Sequence, residues 1–266
     1  MVVATRNDYQ AINTANLINR HGANAASSVA KLSSNLRINT GADDPAGIVT
    51  AAKLRGRAGS TDAAAQNAQN AATMAKTADS AYSNTLDILY RMREIATEAA
   101  SLDVNNGGDA SGLKEEVNVL NQRLEDIVNN TKFGTQKIFG TFAYYLGTDA
   151  SSSYNLTFTA PNGSLDISAN LTAASACAVI NSIDGKISAV AQALGKAGGI
   201  ANALGYIADG LNTDSSNMWD AYQTFTETNV AKEMSSYVKN TISSQSAQLI
   251  LSQYNQNAYS VLNLLR

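Results

Sequence analysis

The feature that most constrains this chain is an apolar pattern, spaced by three and four residues, that recurs along much of its 266 residues. In the first segment, small and apolar side chains take this spacing at Ala11, Ala15, Ile18, Gly22, Ala25, Val29, Leu32 and Leu36. Alternating steps of four and three place residues on one face of an α-helix and are typical of coiled coils. Only two prolines interrupt the chain, so long helices are possible almost everywhere. The pattern predicts a mainly α fold, a long-helix coiled-coil bundle.

The pattern is first interrupted at an elbow, Leu32–Ile48, which joins two predicted helices. Asp44 can accept hydrogen bonds from the first amides of a helix, and Pro45 is tolerated at the first helical position. A long helix should therefore begin at Pro45. Upstream, Asn-Thr-Gly is a turn-prone cluster, and Gly41 can adopt the positive φ that ends an incoming helix. The candidate residues of the elbow are Arg37, Asn39, Asp43, Asp44 and Pro45.

After Pro45 the same rhythm predicts an Ala-rich helix, a shorter helix from about Ser111, and a long helix that ends near Phe225. The segment between the last two changes character. Tyr154-Asn-Leu-Thr-Phe-Thr159 alternates polar and apolar residues before the turn Ala160–Gly163, and Ser164–Ala169 follows. Alternation on both sides of a turn predicts a small β-hairpin, although an irregular loop remains an alternative here.

The last helix, from about Asn229, is apolar on two adjacent stripes. One stripe contains Val238, Ile242 and Leu249, and the next contains Leu251, Ala258, Leu262 and Leu265. A helix with a wide apolar surface has to bury one side within its own chain and the other against something else. The N-terminal helix is the natural internal partner. The candidate self-assembly residues are Ile18, Val29, Leu32 and Leu36 in the N-terminal helix and Val238, Ile242, Leu249, Leu251, Leu262 and Leu265 in the C-terminal helix.

Composition argues against several functions. The net charge is −3 without any basic run, which disfavours nucleic acid as a partner. One cysteine, Cys177, and one histidine, His21, disfavour disulfides, thiolate metal clusters and triad chemistry. Without an HExxH motif or a Gly-rich phosphate loop, neither an enzyme nor a cofactor is expected. His21 is expected to be solvated or hydrogen-bonded. The N-terminus lacks the pattern of a secretory signal peptide, and no apolar run is long enough to predict membrane insertion.

Four motifs resemble those of bacterial flagellins, the filament subunits of the flagellum. Leu32–Gly47 is similar to the family signature LSSGLRINSAKDDAAG, with Asn35 in place of glycine and Pro45 in place of alanine. Asn229-Val-Ala-Lys-Glu233 resembles the ADYATE region, although acids are common where Thr228 and Asn229 stand. Gln253–Gln256 and Val261–Arg266 resemble the terminal QANQ and VLSLLR.

This resemblance implies a subunit that polymerises with itself into the filament used for swimming motility. It further implies extracellular localisation after export by the flagellar type III apparatus without a cleaved signal peptide. The implied partners are an export chaperone, the filament cap and the hook–filament junction proteins. The implied domains are an inner helical pair from residues 1–44 and 227–266, a surrounding bundle from 45–140 and 173–226, and a hairpin segment from 141–172.

A further match concerns the innate immune receptor TLR5. Leu89–Ile95 resembles the LQRVREL stretch and Arg123–Glu125 the RLEE stretch through which many flagellins engage this receptor. The resemblance implies Arg91, Ile95 and Glu125 as receptor positions, while their primary role is expected to be packing or ion pairing in the filament. Asn129 stands where the family often has arginine.

Two alternatives belong to other classes of protein. A hook–filament junction protein has ends that resemble those of flagellin, but the Val261–Arg266 terminus favours the filament subunit. A coiled-coil adaptor would fit the periodicity alone, and it would remain monodisperse where a flagellin grows fibres after seeding.

Overall fold

A computed structural model describes residues 2–105, 111–147, 153–161 and 176–264. The prediction of a mainly α fold with a small β-hairpin region in the middle is confirmed. The described elements are, in chain order, α1 Val2–Ser34, α2 Pro45–Asn105, α3 Ser111–Asn130, β1 Lys132–Phe133, β2 Gln136–Lys137, β3 Gly140–Tyr145, β4 Ser153–Phe158, α4 Ala176–Thr226 and α5 Val230–Leu264. None of the described helices combines the length and apolarity needed to cross a membrane.

The chain divides into two compact units. The terminal unit contains Met1–Gly56 and Asn217–Arg266, and the central unit contains Arg57–Ser216. The terminal unit is built on α1 and α5, which pack against each other. The central unit holds most of the buried apolar side chains of the described chain. Its core combines residues of α2, α3, α4 and β4, with partly buried side chains of β3 packed against it.

Within the central unit, the size of the side chains that α2 buries increases along the helix. Its earlier half presents alanines, among them Ala64, Ala68, Ala71 and Ala75, whereas its later half presents the larger side chains Tyr82, Leu89, Met92 and Ile95. All of these residues are buried. Alanine buries little apolar area, about 25 cal/mol for each Å² removed from water. The larger side chains of the later half therefore contribute most to the core beside α3 and the hairpins.

Helix α4 carries the predicted long heptad pattern into this core. Ile183, Val190, Ala197 and Leu204 recur every seven residues and are all buried. Ser215, the residue that breaks the apolar pattern, is also buried, and its hydroxyl donates a short hydrogen bond to the carboxylate of Asp62 on α2. The polar interruption in the pattern therefore marks a specific contact between two helices.

Two antiparallel hairpins follow α3. In the first, β1 and β2 are joined by a two-residue turn, and Gly134 supplies the positive φ of 61° that such a turn requires at its first position. In the second, β3 pairs with β4 so that Phe142 faces Leu156 and Thr141 faces Thr157. The alternation at residues 154–159 correctly indicated a strand, but its partner is upstream in β3. The expected downstream partner, residues 164–169, lies outside the described residues.

Candidate self-assembly surface and its elbow

Helix α1 ends at Ser34 because the next residue, Asn35, places the backbone in the left-handed region with a φ of 57°. After glycine, asparagine is the residue that most readily adopts this conformation at a helix end. The side chain of Asn39 folds back onto the helix, where Nδ2 donates to Ala30 O (3.1 Å) and to Ser34 Oγ (2.8 Å). The prediction that Gly41 ends the incoming helix is therefore wrong, since the positive φ belongs to Asn35.

The carboxylate of Asp43 organises the turn that follows. Its Oδ2 accepts hydrogen bonds from the backbone N–H groups of Asn39 (3.1 Å) and Thr40 (2.9 Å) and from the Thr40 hydroxyl (3.0 Å). These hydrogen bonds, that of the Thr40 N–H foremost, lower the pKa of Asp43 below its ordinary value. Three donor groups from Asn39 and Thr40 thus surround one acceptor that is most effective when ionised.

The carboxylate of Asp44 caps the next helix. Its Oδ1 accepts a hydrogen bond of 2.8 Å from the N–H of Gly47, and α2 begins at Pro45, so both predictions for these residues are confirmed. Gly47 leaves no room for a larger residue. A Cβ atom there would collide with the Asp44 carboxylate and would lie 2.8 Å from Cδ1 of the buried Ile38. The glycine therefore allows the cap and the Ile38 side chain to approach the start of α2.

The elbow is hydrogen-bonded to the linker between α4 and α5. Leu36 and Glu227 form an isolated antiparallel bridge, and the N–H of Thr228 donates to Asn35 O (3.1 Å). Leu36 is half-buried in this bridge. Both connections of the terminal unit, one after α1 and one before α5, therefore meet at the same point.

Arg37 reinforces this junction from both its backbone and its side chain. Its N–H donates to Thr226 O at 2.7 Å, and its Nη2 donates to Phe225 O at 2.8 Å. The guanidinium carbon also lies 5.7 Å from the centre of the Phe225 ring, within the range of a cation–π contact. The two carbonyls belong to the last turn of α4, whose final C=O groups have no partners within the helix. Arg37 thus caps the end of α4.

Helices α1 and α5 run antiparallel, since His21 is opposite Asn240 and Leu36 is opposite Glu227. We call the face along which they meet the seam. On α1 it consists of the buried or half-buried Ala11, Thr14, Ile18, His21, Ala25, Ser28 and Leu32, and on α5 of Glu233, Tyr237, Asn240, Ser244, Ala247, Leu251 and Tyr254. Both sets alternate steps of three and four residues, which is the spacing of a coiled coil.

The seam of α1 differs in one respect from the predicted heptad. Ile18 and Leu32 lie in it, but Gly22 and Val29 are exposed, and His21 and Ser28 take the inward positions. The two possible phases share every seventh residue, so the partner helix decides between them. The phase observed places His21 opposite Asn240 of α5, and it leaves Val29 on the outer surface.

Helix α5 has a second apolar face that is exposed in the single chain. We call it the α5 stripe; its members are Val230, Met234, Val238, Ile242 and Leu249. Ile242 is 58% exposed and Leu249 is 74% exposed. Leu251 belongs instead to the seam. The side chain of Leu262 and the whole of Leu265 lie outside the described residues. The helix begins after Asn229, whose Oδ1 accepts a hydrogen bond of 3.0 Å from the Lys232 N–H.

Helix α1 also exposes large apolar side chains away from the seam, namely Tyr9, Ile12, Leu17 and Val29. Exposed apolar patches on a soluble protein often mark surfaces where another molecule binds. Within the described ranges, no group of three or more His, Cys, Asp or Glu side chains is placed to hold a metal ion. The terminal unit therefore offers extended apolar surfaces.

The comparisons with known proteins match both ends of the chain. The model of the bacterial flagellin N-terminal helical region matches residues 6–142, and that of the C-terminal helical region matches residues 180–265. The chain belongs to the bacterial flagellin family. Flagellin of Halalkalibacterium halodurans is 31% identical over 249 residues, which cover 89% of this chain and 90% of that relative. Flagellin of Bacillus subtilis is 29% identical, with 96% of this chain and 97% of the relative covered.

Other flagellar proteins and a solved flagellin structure are also similar to this chain. The flagellar filament 33 kDa core protein of Treponema phagedenis is 29% identical over 89% of this chain and 90% of its own length. A crystal structure of Bacillus cereus flagellin covers 59% of this chain at 25% identity and a TM-score of 0.49. The family matches identify the chain as a filament subunit and support neither the hook–filament junction protein nor the adaptor.

The three positions that resemble the receptor-binding region of flagellins differ in accessibility. Arg91 is exposed, and its guanidinium pairs with Glu116 of α3 (2.8 Å) and Glu94 (3.1 Å), which raises the pKa of Arg91, chiefly through the Glu116 hydrogen bond. Glu125 is exposed on α3. Ile95 is fully buried. Its side chain belongs to the core of the central unit and offers no surface to a receptor, so Ile95 is corrected from a receptor position to a core residue.

Several residues of this flagellin junction were not predicted from the sequence. Thr226 and Thr228 contribute only backbone groups to the bridge, so no side-chain pattern marks them. The place of His21 in the seam was not predicted either, although the expectation that it is solvated or hydrogen-bonded agrees with its contact with Asn240. Its spacing from Thr14 and Ser28, seven residues in each direction, is the signal that could have placed it there.

Proposed function

We propose that the chain assembles through its terminal unit, with the α5 stripe and the exposed apolar residues of α1 packing against neighbouring copies in the filament. The observation that carries this proposal is the α5 stripe itself. It follows one face of a helix whose opposite face is already occupied by α1. A second copy of the chain offers the same kinds of surface in return, as expected for a helical homopolymer.

The seam between α1 and α5 supports the same proposal because it is thin. Its fully buried members are Thr14, Ser28 and Ala247, and among the described buried apolar residues only Ile38, Ala51 and Ala247 belong to the terminal unit. A helix pair gains most of its stability from packing its apolar face. We therefore propose that contacts with other copies supply the burial that this pair lacks.

A charge placed on the α5 stripe tests the proposal. Ile242→Asp should prevent seeded polymerisation, because a carboxylate would have to be desolvated at the interface. Gln248→Asp is the matched control, since it adds the same charge at an exposed polar position of α5. Seeded growth would be followed by light scattering and electron microscopy, and helix content by circular dichroism. Normal filament growth by Ile242→Asp would refute the proposed surface.

We further propose the domain roles that the family resemblance implies. Residues 1–44 with 227–266 would line the central channel of the filament, 45–140 with 173–226 would form the surrounding layer, and 141–172 would replace larger outer segments. The paired elbow and linker support this arrangement, since both connections of α1 and α5 meet at one junction.

We propose that the chain reaches the extracellular filament by flagellar type III export without a cleaved signal peptide. An export chaperone would cover the α5 stripe before assembly, and the filament cap and hook–filament junction proteins would contact the assembling chain. The exposed apolar side chains of α5 support the need for a chaperone. Chaperone binding should be lost in a chain that lacks residues 230–266.

A second candidate function is binding of the innate immune receptor through Arg91 and Glu125. Their exposure supports it, whereas burial removes Ile95 from the proposed contact. Because Glu94 and Glu116 already pair with Arg91, a receptor acid would have to replace them. Receptor activation by Arg91→Ala should fall, and Arg93→Ala is the matched control because Arg93 pairs with Asp184 of α4 instead. Undiminished activation by Arg91→Ala would remove this candidate.

A further inference from the structure

One side-chain hydrogen bond joins α1 to α5 among the described residues. It connects His21 Nδ1 with Asn240 Oδ1 at 3.1 Å, in the middle of the seam. Both residues are half-buried. Other polar side chains of the terminal pair bond within their own helix, as Thr14 does to Gln10 O (2.8 Å) and Thr241 does to Tyr237 O (2.9 Å). Among the side-chain hydrogen bonds described for α1 and α5, only that between His21 and Asn240 therefore depends on which helix lies opposite.

The direction of this hydrogen bond is fixed by a second one. Asn240 Nδ2 donates to Ser236 O at 2.9 Å, one turn earlier in α5. The amide nitrogen thus faces its own helix, and Oδ1 faces α1 as an acceptor. His21 Nδ1 must then carry a proton and donate. The pair is a matched donor and acceptor, and an apolar or acceptor-only residue in place of His21 would leave Asn240 Oδ1 unsatisfied.

The remainder of the α1 seam is nearly the same on both sides of His21. Ala11, Thr14 and Ile18 precede it, and two heptads later Ala25, Ser28 and Leu32 follow in the same order. Small and similar side chains at equivalent positions do not distinguish one axial register from another. His21 is the one member of this set without a chemical equivalent.

We propose that the His21–Asn240 hydrogen bond is the specificity element of the terminal pair: it selects the α5 helix of the same chain, in this register, as the partner of α1. A polar pair in a coiled-coil seam lowers stability but fixes register and partner, because every other pairing leaves its groups unsatisfied. In a filament many copies of α1 and α5 lie close together. This inference rests on the proposed assembly role of the terminal unit.

Disulfide trapping in assembled filaments tests the proposal. The parent carries Cys177→Ser, which removes the exposed native thiol, with Thr14→Cys and Ala247→Cys as reporters. These positions lie one heptad from His21 and Asn240 and are both buried in the seam. Oxidised parent filaments, dissolved without reductant, should give internally cross-linked monomers. Adding His21→Leu and Asn240→Leu should allow pairing with neighbours and raise the fraction of cross-linked dimers and longer ladders above the parent's background.

Two further variants serve as controls for the loss of a polar group and for the exchange of donor and acceptor. Thr241→Val removes a half-buried hydroxyl that lies beside Asn240 in the sequence and bonds within α5, and it should retain the pattern of the parent. His21→Asn with Asn240→His exchanges donor and acceptor residues and should also retain it. The proposal is overturned if the double leucine variant yields only monomers, or if the exchanged pair fails to give the parent's pattern. Failure of the assembly proposal is distinguishable, because it would appear as normal growth of Ile242→Asp in the absence of any disulfide.

Discussion

At the residue scale, one backbone angle decides where α1 ends. Glycine is the usual residue where a helix ends in the left-handed conformation, so the sequence predicted Gly41 at this position. The residue that adopts the positive φ is instead Asn35. Asp44 and Pro45 were predictable because the N-cap and first-turn preferences depend on local geometry alone. The left-handed conformation of Asn35 was not predictable, because it depends on hydrogen bonds that Thr228 and Asn39 make at the end of the helix.

We expect Asn35→Ala to destabilise the terminal unit by about 1 kcal/mol, because a residue with a Cβ and no compensating amide is strained in the left-handed region. Asn35→Gly should match or exceed the stability of the parent. The temperature at which filaments depolymerise would measure the difference. Ser33→Ala, in the exposed last turn of α1, serves as the control. Filaments of Asn35→Ala that melt with those of the parent would contradict this assignment of the helix end.

At the scale of elements, periodicity predicted which segments are helices and strands but not how they pair. The alternation in β4 was visible in the sequence, yet its partner β3 is placed by contacts with the core, such as the contact of the Tyr144 hydroxyl with the Met74 sulfur. The phase of α1 was ambiguous for the same reason, because α5 decides which of two faces is buried. Val29 has an apolar side chain but is exposed, while Ser28 has a polar side chain but is buried.

Tyr82 links α2 to the end of β4 and gives this contact a pH dependence. Its hydroxyl donates to Thr159 O at 2.6 Å, and burial raises its pKa from 10.0 to about 12. The folded phenol stays protonated to a higher pH than the unfolded one. Its contribution is therefore complete below pH 10 and is lost as the pH rises towards about 12.

We expect Tyr82→Phe to lower the free energy of unfolding of the central unit by about 1 kcal/mol at neutral pH. The variant should also lose part of the decline in stability between pH 10 and 12. Urea unfolding followed by circular dichroism at several pH values would measure both effects. Tyr206→Phe is the control, because Tyr206 is 80% exposed. An alkaline decline that is identical in all three proteins would exclude Tyr82 as its source.

At the scale of the whole molecule, the chain is a subunit of the flagellar filament whose two units differ in the quantity of apolar surface they bury. The central unit has a core of large side chains from three helices and a hairpin. The terminal unit relies on a seam in which only small side chains are fully buried, and it carries the exposed α5 stripe. Domain stability scales with the area that is buried, so the central unit should fold without the terminal one.

Removal of residues 230–266 should therefore abolish polymerisation and leave the central unit folded. The truncated chain would be tested by seeded growth, and its central unit by the cooperativity of its thermal unfolding. Loss of α5 also exposes the seam face of α1, so some loss of helix content is expected in addition to that of α5 itself. Ordinary filaments grown from the truncated chain would contradict the role assigned to the terminal unit.

The antiparallel bridge at Leu36 and Glu227 has a mechanical consequence. Its two hydrogen bonds, Arg37 N to Thr226 O and Thr228 N to Asn35 O, join two neighbouring chain segments that run in opposite directions. Tension applied along either segment loads both hydrogen bonds in shear, so the two bonds must break together rather than in succession. In a filament, this crossing would share a mechanical load between the two polypeptide connections.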